Sequence, residues 1–499
     1  MSLKGGIEKL SSEAILSIDL GTSALKVCLY DLEFNTIAKV TAENVTYFPK
    51  PNWAEQDQIE WWNNAKKLIK EVIKKSKIDP KNIKGVGICG QCHGVNLVDK
   101  FCNPLHPCLI WPDLRSIAQA EKIKKELGIY VSPHYTAAKL LWIRENRPDL
   151  LEKAYKILLP KDFLRTKLTG DFCTDIYDAI NTELFNYKTF SYSMELINFI
   201  GIPLEKLPEV RLSTDIVGTV SEEASIETGL TFGTPVITGR GDGSPELFRY
   251  FMKPFETLLI YLGTAPAILI PAGDSLFPFK SGFMSAGGGA LLKWFKENFA
   301  QFEVLVSSEL GVSAYSLLDQ EAQKIEIGSE GLLFLPHMMG ERCPHNPHAK
   351  GVLYGLSLGH TRVHIYRAIL EGIALQLYSI YNSLKEEDTR INPNRIVIFG
   401  GGAKSFVWKK IFADLFNLPV YVPNEEETAA LNVAVLTTVG LKIYSDLQEA
   451  VKKINITWKD MVTPSKENHD KYIQLYIKYR ELENSLFQHT KFLPKPRAF

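Results

Sequence analysis

Three short stretches carry side chains suited to phosphate chemistry. "DLGTSALK" (19–26) sets a carboxylate, Asp19, at a strand end, followed by a Gly-Thr-Ser turn and a lysine. Gly21 lets backbone amides approach a ligand, Thr22 and Ser23 add hydroxyl donors, and Lys26 adds positive charge. A carboxylate at Asp19 can hold a hydrated Mg²⁺ beside phosphates. "GRGDGSPE" (239–246) exposes Asp242 between glycines after a run that reads as a buried strand. There the acid can accept a proton from an attacking hydroxyl, although a plain Asp-Gly turn fits the same residues. "FGGGAKS" (399–405) places three glycines between a strand and a helix, where a phosphate can rest on backbone. It is neither a Walker A loop nor G-x-G-x-x-G, and a tight turn explains it equally well.

A fourth stretch, "GICGQCHGVNLVDK" (87–100), admits two readings. Cys89 and Cys92 form a C-x-x-C with His93 behind it. A zinc site needs two more ligands at coherent spacing, and Cys102, His106 and Cys108 do not form a second such pair. A redox pair needs a helix N-terminus to lower a thiol pKa, but strand-like runs lie on both sides. The other reading is a polar turn, Gln91-Cys92-His93, at the edge of a ligand cleft.

The elements that must hold these residues read as α/β. "AILSIDLGTSALKVCLYDLEFNTIAKV" (14–40) predicts two strands around the Gly-Thr-Ser turn and a third beyond "DLEFN". A helix is expected over about 58–76, its lysines on the wet face, then the strand "IKGVGIC". Residues 113–210 read as mostly helical, and "TPVITG" (234–239) as a strand. "IDLGTSA" (18–24) and "IYLGTAP" (260–266) share the frame I-x-L-G-T-small, which predicts two related domains with the same hairpin. The second copy has Tyr261 where the first has Asp19. Further on, a helical stripe over 362–384 precedes the strand "RIVIFGGGA", a helix over 405–417, the strand "LPVYVP" and a helix from about 427. Strands alternating with helices predict sheets covered on both faces.

Composition narrows the partners. At 499 residues the chain exceeds one compact core. Lys+Arg and Asp+Glu balance at 57 each, so no overall field favours nucleic acid or an anionic membrane. The most apolar run (258–273) is too short for a membrane helix, and Gly and Pro interrupt it. Seven cysteines, an odd number, do not form a disulfide framework, so a reducing cytoplasm is expected.

These pieces together resemble the FGGY family of carbohydrate kinases, in order over nearly the whole chain. "IDLGTSALKV" is similar to the family's first phosphate motif, "PNWAEQDQIEWW" (51–62) to its P-x-W-x-E-Q-D-P-x-x-W-W pattern, and "GICGQCHGVNLVD" and "LIWPDLRS" (109–116) to its sugar-side motifs. "AAKLLWIRENRPDL", "LLPKDFLRTKLTGDFCTDIYDA", "GERCPHNPHAKGVLYGLSLGH" (340–360) and "GGGAKSFVWKKIFADLFNLPV" also fit. The resemblance implies two ribonuclease H-like (actin-like) domains, 14–250 and 255–499, around a central cleft. It implies transfer of the γ-phosphate of Mg-ATP to a hydroxyl of a ketose such as D-xylulose. By that match Asp242 is the catalytic base, and Asp19 places Mg²⁺ and the phosphates. Cys92 and His93, with Asp242, take the sugar. Thr22, Ser23, Lys26, Gly263 and Thr264 take phosphate, and Gly401, Gly402 and Ala403 form the nucleotide loop. Cys89 is then a strand residue. The expected partner is a small-molecule sugar, with neither nucleic acid nor membrane, and the reading leaves room for a homodimer.

Three departures from the family pattern fall near these sites: "DGSPELFRYF" after Asp242, "LGTAPA" in the second hairpin, and Cys92 in place of Met. An actin-like ATPase needs only the phosphate turns; the sugar-side set "GQCHG" and "WPDLRS" distinguishes a sugar kinase from it.

Overall fold

The computed structural model describes residues 13–242, 251–263, 265–272, 279–284, 287–342, 345–346, 349–424, 428–455 and 457–487. The chain divides into two compact units, residues 1–245 with 427–455, and 246–426 with 456–499.

The first unit is built on a seven-stranded sheet. β1 (Ala14–Leu20), β2 (Ala24–Asp31) and β3 (Thr36–Glu43) form an antiparallel meander, as the alternation of apolar runs and turns predicts. β4 (Ile83–Gly90) lies parallel to β1 on its other side. β5 (Ile216–Thr219) pairs antiparallel with β6 (Pro235–Ile237), which is parallel to β4; β7 (Arg240–Gly241) adds to the end of β4. The helix Gln58–Ser76 is capped by Asp57, whose side chain accepts from Ile59 N–H, and it buries Trp61, Trp62, Leu68, Ile69 and Val72. Its lysines lie outside that stripe, as expected.

A single boundary near 250–255 does not describe these contacts, because residues 427–455 return to the first unit. The helix Thr428–Gly440 packs on β1 and β4. Gly87 permits the approach: a methyl group there would stand 2.3 Å from Thr437 Oγ1 and 2.9 Å from Val433 Cγ2.

The second unit repeats the plan in a six-stranded sheet. β8 (Thr257–Tyr261), β9 (Ala267–Pro271) and β10 (Phe279–Phe283) form the meander. β11 (Arg395–Phe399) lies parallel to β8, β12 (Val420–Pro423) parallel to β11, and β13 (Trp458–Val462) antiparallel to β12. The orders β3-β2-β1-β4-β6-β5 and β10-β9-β8-β11-β12-β13 correspond strand for strand in position and direction. The short I-x-L-G-T repeat therefore marks a repeated domain. Helix Arg362–Glu387 buries the predicted stripe, Val363, Tyr366, Ile369, Ile373, Leu377 and Ile380, in this unit's core.

One ion cluster in the second unit responds to pH. His337 is buried, with Nδ1 2.9 Å from Glu341 and Nε2 3.1 Å from Glu483. Burial alone would lower its pKa, but the two carboxylates outweigh burial and raise it to about 9. A raised histidine pKa contributes stability that is complete below the unfolded value of about 6.5 and is lost as pH rises through 9. We expect urea midpoints of the second unit's transition to fall between pH 7 and 10, a change on the order of 3 kcal/mol at most. His337→Gln should flatten that slope; an equal slope in both proteins would assign it to other groups.

Candidate active site

Strand register assembles the first set of residues. Asp19 on β1 is directly opposite Lys26 on β2 and Cys89 on β4, and Cys89 is in turn opposite Arg240 on β7. Three strands thus end side by side, with Asp242 just past β7, its N–H donating to the Gly90 carbonyl at 2.8 Å. The Cys89 thiol donates to Asp19 Oδ1 at 3.6 Å, and Lys26 Nζ lies 3.8 Å from Asp19 Oδ2. Cys89 is therefore a strand residue whose thiol faces the acid. Burial, first, and then the charges of Asp19 and Asp178 raise the pKa of Asp242 to about 8.

The turn after β4 presents His93 in a left-handed conformation, φ 65°. Its Nδ1 pairs with the Asn181 carbonyl at 2.9 Å, and its ring stacks on Tyr135 with centroids 3.9 Å apart. Lys139 fixes the whole region. It is fully buried and donates to the carbonyls of His93 (3.1 Å), Ile110 (2.8 Å) and His134 (2.7 Å). Cys92 points elsewhere: a methyl group on Gly241 would stand 2.4 Å from its Sγ and 2.7 Å from Asp178 Oδ1. The thiol thus packs behind the strand that leads to Asp242.

The Gly-Thr-Ser turn is tied to the same region. Thr22 Oγ1 accepts from Trp111 Nε1 at 2.8 Å and donates to Gln91 Oε1 at 3.3 Å, while Gln56 Nε2 donates to the Thr22 carbonyl at 2.8 Å. Gln91 Nε2 in turn donates to Gln56 Oε1 at 2.8 Å. The Thr22 hydroxyl, expected on phosphate, is engaged inside the protein, whereas Ser23 is exposed. Two of the quoted motifs bind one another. Arg115 of "WPDLRS" pairs with Asp113 (2.7 Å) and with Glu55 of "PNWAEQ" (2.6 Å), its guanidinium 3.7 Å above the Trp53 ring.

In the second unit, the turn after β11 holds the glycines. Gly400 has φ 89°, and a methyl group there would lie 3.0 Å from the Leu262 carbonyl, so both conformation and space call for glycine. Gly402 N–H donates to the Leu262 carbonyl at 3.0 Å. Gly401 differs, because a methyl group there would meet nothing within 4 Å among the described residues. Packing among the described residues does not explain that glycine. Ala403 is buried in the short 3₁₀ turn that leads to helix Phe406–Phe416. Gly263 follows β8 beneath Tyr261. Thr264 and residues 243–248, with their departures from the pattern, lie outside the described residues.

Comparison with known proteins identifies the family. The family model for the N-terminal domain of FGGY carbohydrate kinases matches residues 14–248, and that for the C-terminal domain residues 279–441. The chain is 30% identical to a xylulose kinase of Staphylococcus epidermidis over 503 aligned residues, covering 96% of this chain and 98% of that one. The chain belongs to the FGGY family of carbohydrate kinases. A gluconokinase of Bacillus subtilis is also 30% identical, covering 85% of this chain and 86% of that one. Ligand-bound xylulose kinase from Lactobacillus acidophilus superposes with a TM-score of 0.79 at 24% identity, covering 95% of this chain and 98% of that chain.

This FGGY kinase is thus a sugar phosphotransferase with the two-domain actin-like, ribonuclease H-like fold. Kinases of this kind use ATP, generally with Mg²⁺. The donor chemistry suits that ion: Asp19 offers hard carboxylate oxygens, and its charge is close enough to raise the pKa of Asp242. Bound there, Mg²⁺ would neutralise phosphate charge. Sequence reasoning did not single out Lys139, Tyr135, Asn181 or Asp178. Trp111 lay inside the "WPDLRS" motif, but its bond to Thr22 was invisible from spacing. Among the described residues, no helix is long and apolar enough to cross a membrane.

Proposed function

We propose that the protein transfers the γ-phosphate of Mg-ATP to a hydroxyl of a ketose, D-xylulose or a related pentulose, with Asp242 as the general base. The observation that carries this reading is the Asp242 carboxylate, half-buried at the end of β7, with its pKa raised to about 8. An acceptor whose pKa lies near the working pH suits a departing hydroxyl proton better than an ordinary carboxylate. His93, held by Asn181 and Tyr135, contacts the sugar. Its Nδ1–H donates to the Asn181 carbonyl, which fixes the orientation of the ring. Cys92 shapes the floor behind Asp242 through its packing on Gly241. Asp19 serves the phosphates and Mg²⁺ with Lys26 and the backbone of the 21–23 turn, and Gly263 and the 401–403 turn serve the nucleotide. Positioning and charge neutralisation are the main demands of phosphoryl transfer, and these residues supply both. An odd number of cysteines, seven in 499 residues, fits a reducing cytoplasm.

The test is an ADP-release assay over pentuloses, hexuloses, gluconate and glycerol. A pentulose should give the highest kcat/KM; a higher value with gluconate would move the substrate to an aldonate, and ATP turnover indifferent to every sugar would end the reading. With the best substrate, His93→Ala should raise the sugar KM at least about tenfold and leave the ATP KM within about twofold. The reverse pattern would take His93 off the sugar.

A further inference from the structure

The correspondence between the two sheets extends to single residues. Asp19 on β1 is opposite Lys26 on one side and Cys89 on the other; Tyr261 on β8 is opposite Ala267 and Phe399. Beyond the strands the equivalent carbonyls are both bonded, with donors offset by one residue: Gln91 N–H, two past Cys89, donates to the Leu20 carbonyl, and Gly402 N–H, three past Phe399, to that of Leu262. Tyr261 therefore occupies, in the second unit, the station of Asp19 in the first. The exchange removes both charges of the pair, since Ala267 replaces Lys26.

Tyr261 does not behave as a core residue. Thr257–Ile260 are buried, whereas Tyr261 is 38% exposed. Its phenol end lies against Gly263, where a methyl group would stand 2.2 Å from both Cζ and the hydroxyl oxygen. The ring edge reaches the other turn, since a methyl group on Gly400 would stand 3.0 Å from Cε2. Phe399 supports the ring, with centroids 5.4 Å apart. One aromatic side chain thus covers both glycine turns.

We infer that Tyr261 is a nucleotide-binding residue, its ring walling the hairpin and its hydroxyl donating a hydrogen bond to the phosphate chain of ATP. This rests on the assignment of Gly263 and the 400–403 turn to the nucleotide. The chemistry of the exchange supports it. A second carboxylate against a polyanion would repel it, whereas a phenol donates without adding charge. Its rigid ring also loses little side-chain entropy when a ligand binds.

The experiment compares wild type, Tyr261→Phe and Tyr261→Ala as full-length proteins, titrated with a non-hydrolysable ATP analogue plus Mg²⁺ and, separately, with the best sugar substrate. A hydrogen bond to a charged acceptor is strong enough that Tyr261→Phe should raise the analogue Kd about tenfold. The sugar Kd and the thermal midpoint should not move, because the ring remains. Tyr261→Ala should weaken the analogue further. An analogue Kd for Tyr261→Phe equal to wild type overturns the assignment, including the case where only Tyr261→Ala is weak and the ring merely props the turns. Failure of wild type itself to bind the analogue would instead refute the nucleotide reading beneath it.

Discussion

Asp242→Asn will lower kcat for sugar phosphorylation by about 10²–10⁴-fold, the range that a positioned proton acceptor contributes. Asparagine is close to isosteric, and the bond that anchors the turn is made by backbone, from Asp242 N–H to the Gly90 carbonyl. The turn should therefore keep its shape, and what is removed is an oxygen able to take a proton. Nucleotide affinity should stay within about threefold, because Asp19 and Lys26 are untouched. An uncharged side chain also removes the repulsion that Asp19 exerts on Asp242, so the folded protein should lose no stability. The assay is steady-state kinetics with direct nucleotide titration. A variant that keeps a tenth or more of wild-type turnover would remove Asp242 from proton transfer and reduce it to a turn residue.

The second large effect concerns folding. Lys161 is fully buried, and its Nζ lies 2.6 Å from Asp162, 3.0 Å from Asp175 and 3.1 Å from Asp178. Arg165 joins them, 2.8 Å from Asp162 and donating to the Thr238 carbonyl at 3.0 Å, which ties helix Pro160–Thr169 to the strand region that leads to Asp242. Burial raises the pKa of Asp178 to about 7, with Lys161 opposing and Asp175 and Asp162 adding to the rise. Removing the central cation leaves buried carboxylates facing one another, which costs about 3–5 kcal/mol. Lys161→Met should therefore shift the unfolding transition of the first unit by that amount. Adding Asp178→Asn should restore part of it, because one of the uncompensated acids is then neutral. A loss below about 1 kcal/mol would mean that water or rearranged side chains can neutralise the cluster.

The elements were legible because their patterns are local. Alternating runs around a Gly-Thr-Ser turn gave the hairpin, and the repeat of that frame gave a second sheet of the same order. What was not legible depends on where a side chain ends. Lys139 and Lys161 read as ordinary helix lysines, yet both are fully buried, one on three carbonyls and the other among three carboxylates. Composition assigns lysines to solvent unless a partner distant in sequence is known. The motifs at 51–62 and 109–116 could be matched separately, but that Glu55 and Arg115 pair with each other is a tertiary fact. Cys92 shows the reverse case: the turn matched its pattern, and the side chain faces Gly241. A motif identifies which backbone turn is present; the neighbours of that turn decide what each side chain does.

The return of residues 427–455 to the first unit bears on how the protein is made. During translation β1 and β4 leave the ribosome long before helix Thr428–Gly440, which covers them, has been synthesised. Until then one face of that sheet lacks its cover, including the groove over Gly85 and Gly87 shaped for the helix. Nascent chains halted before residue 427 should therefore display a sticky β surface and engage chaperones, and fragments cut there should precipitate. A split version of the protein would have to give the amino-terminal piece its own copy of the late helix.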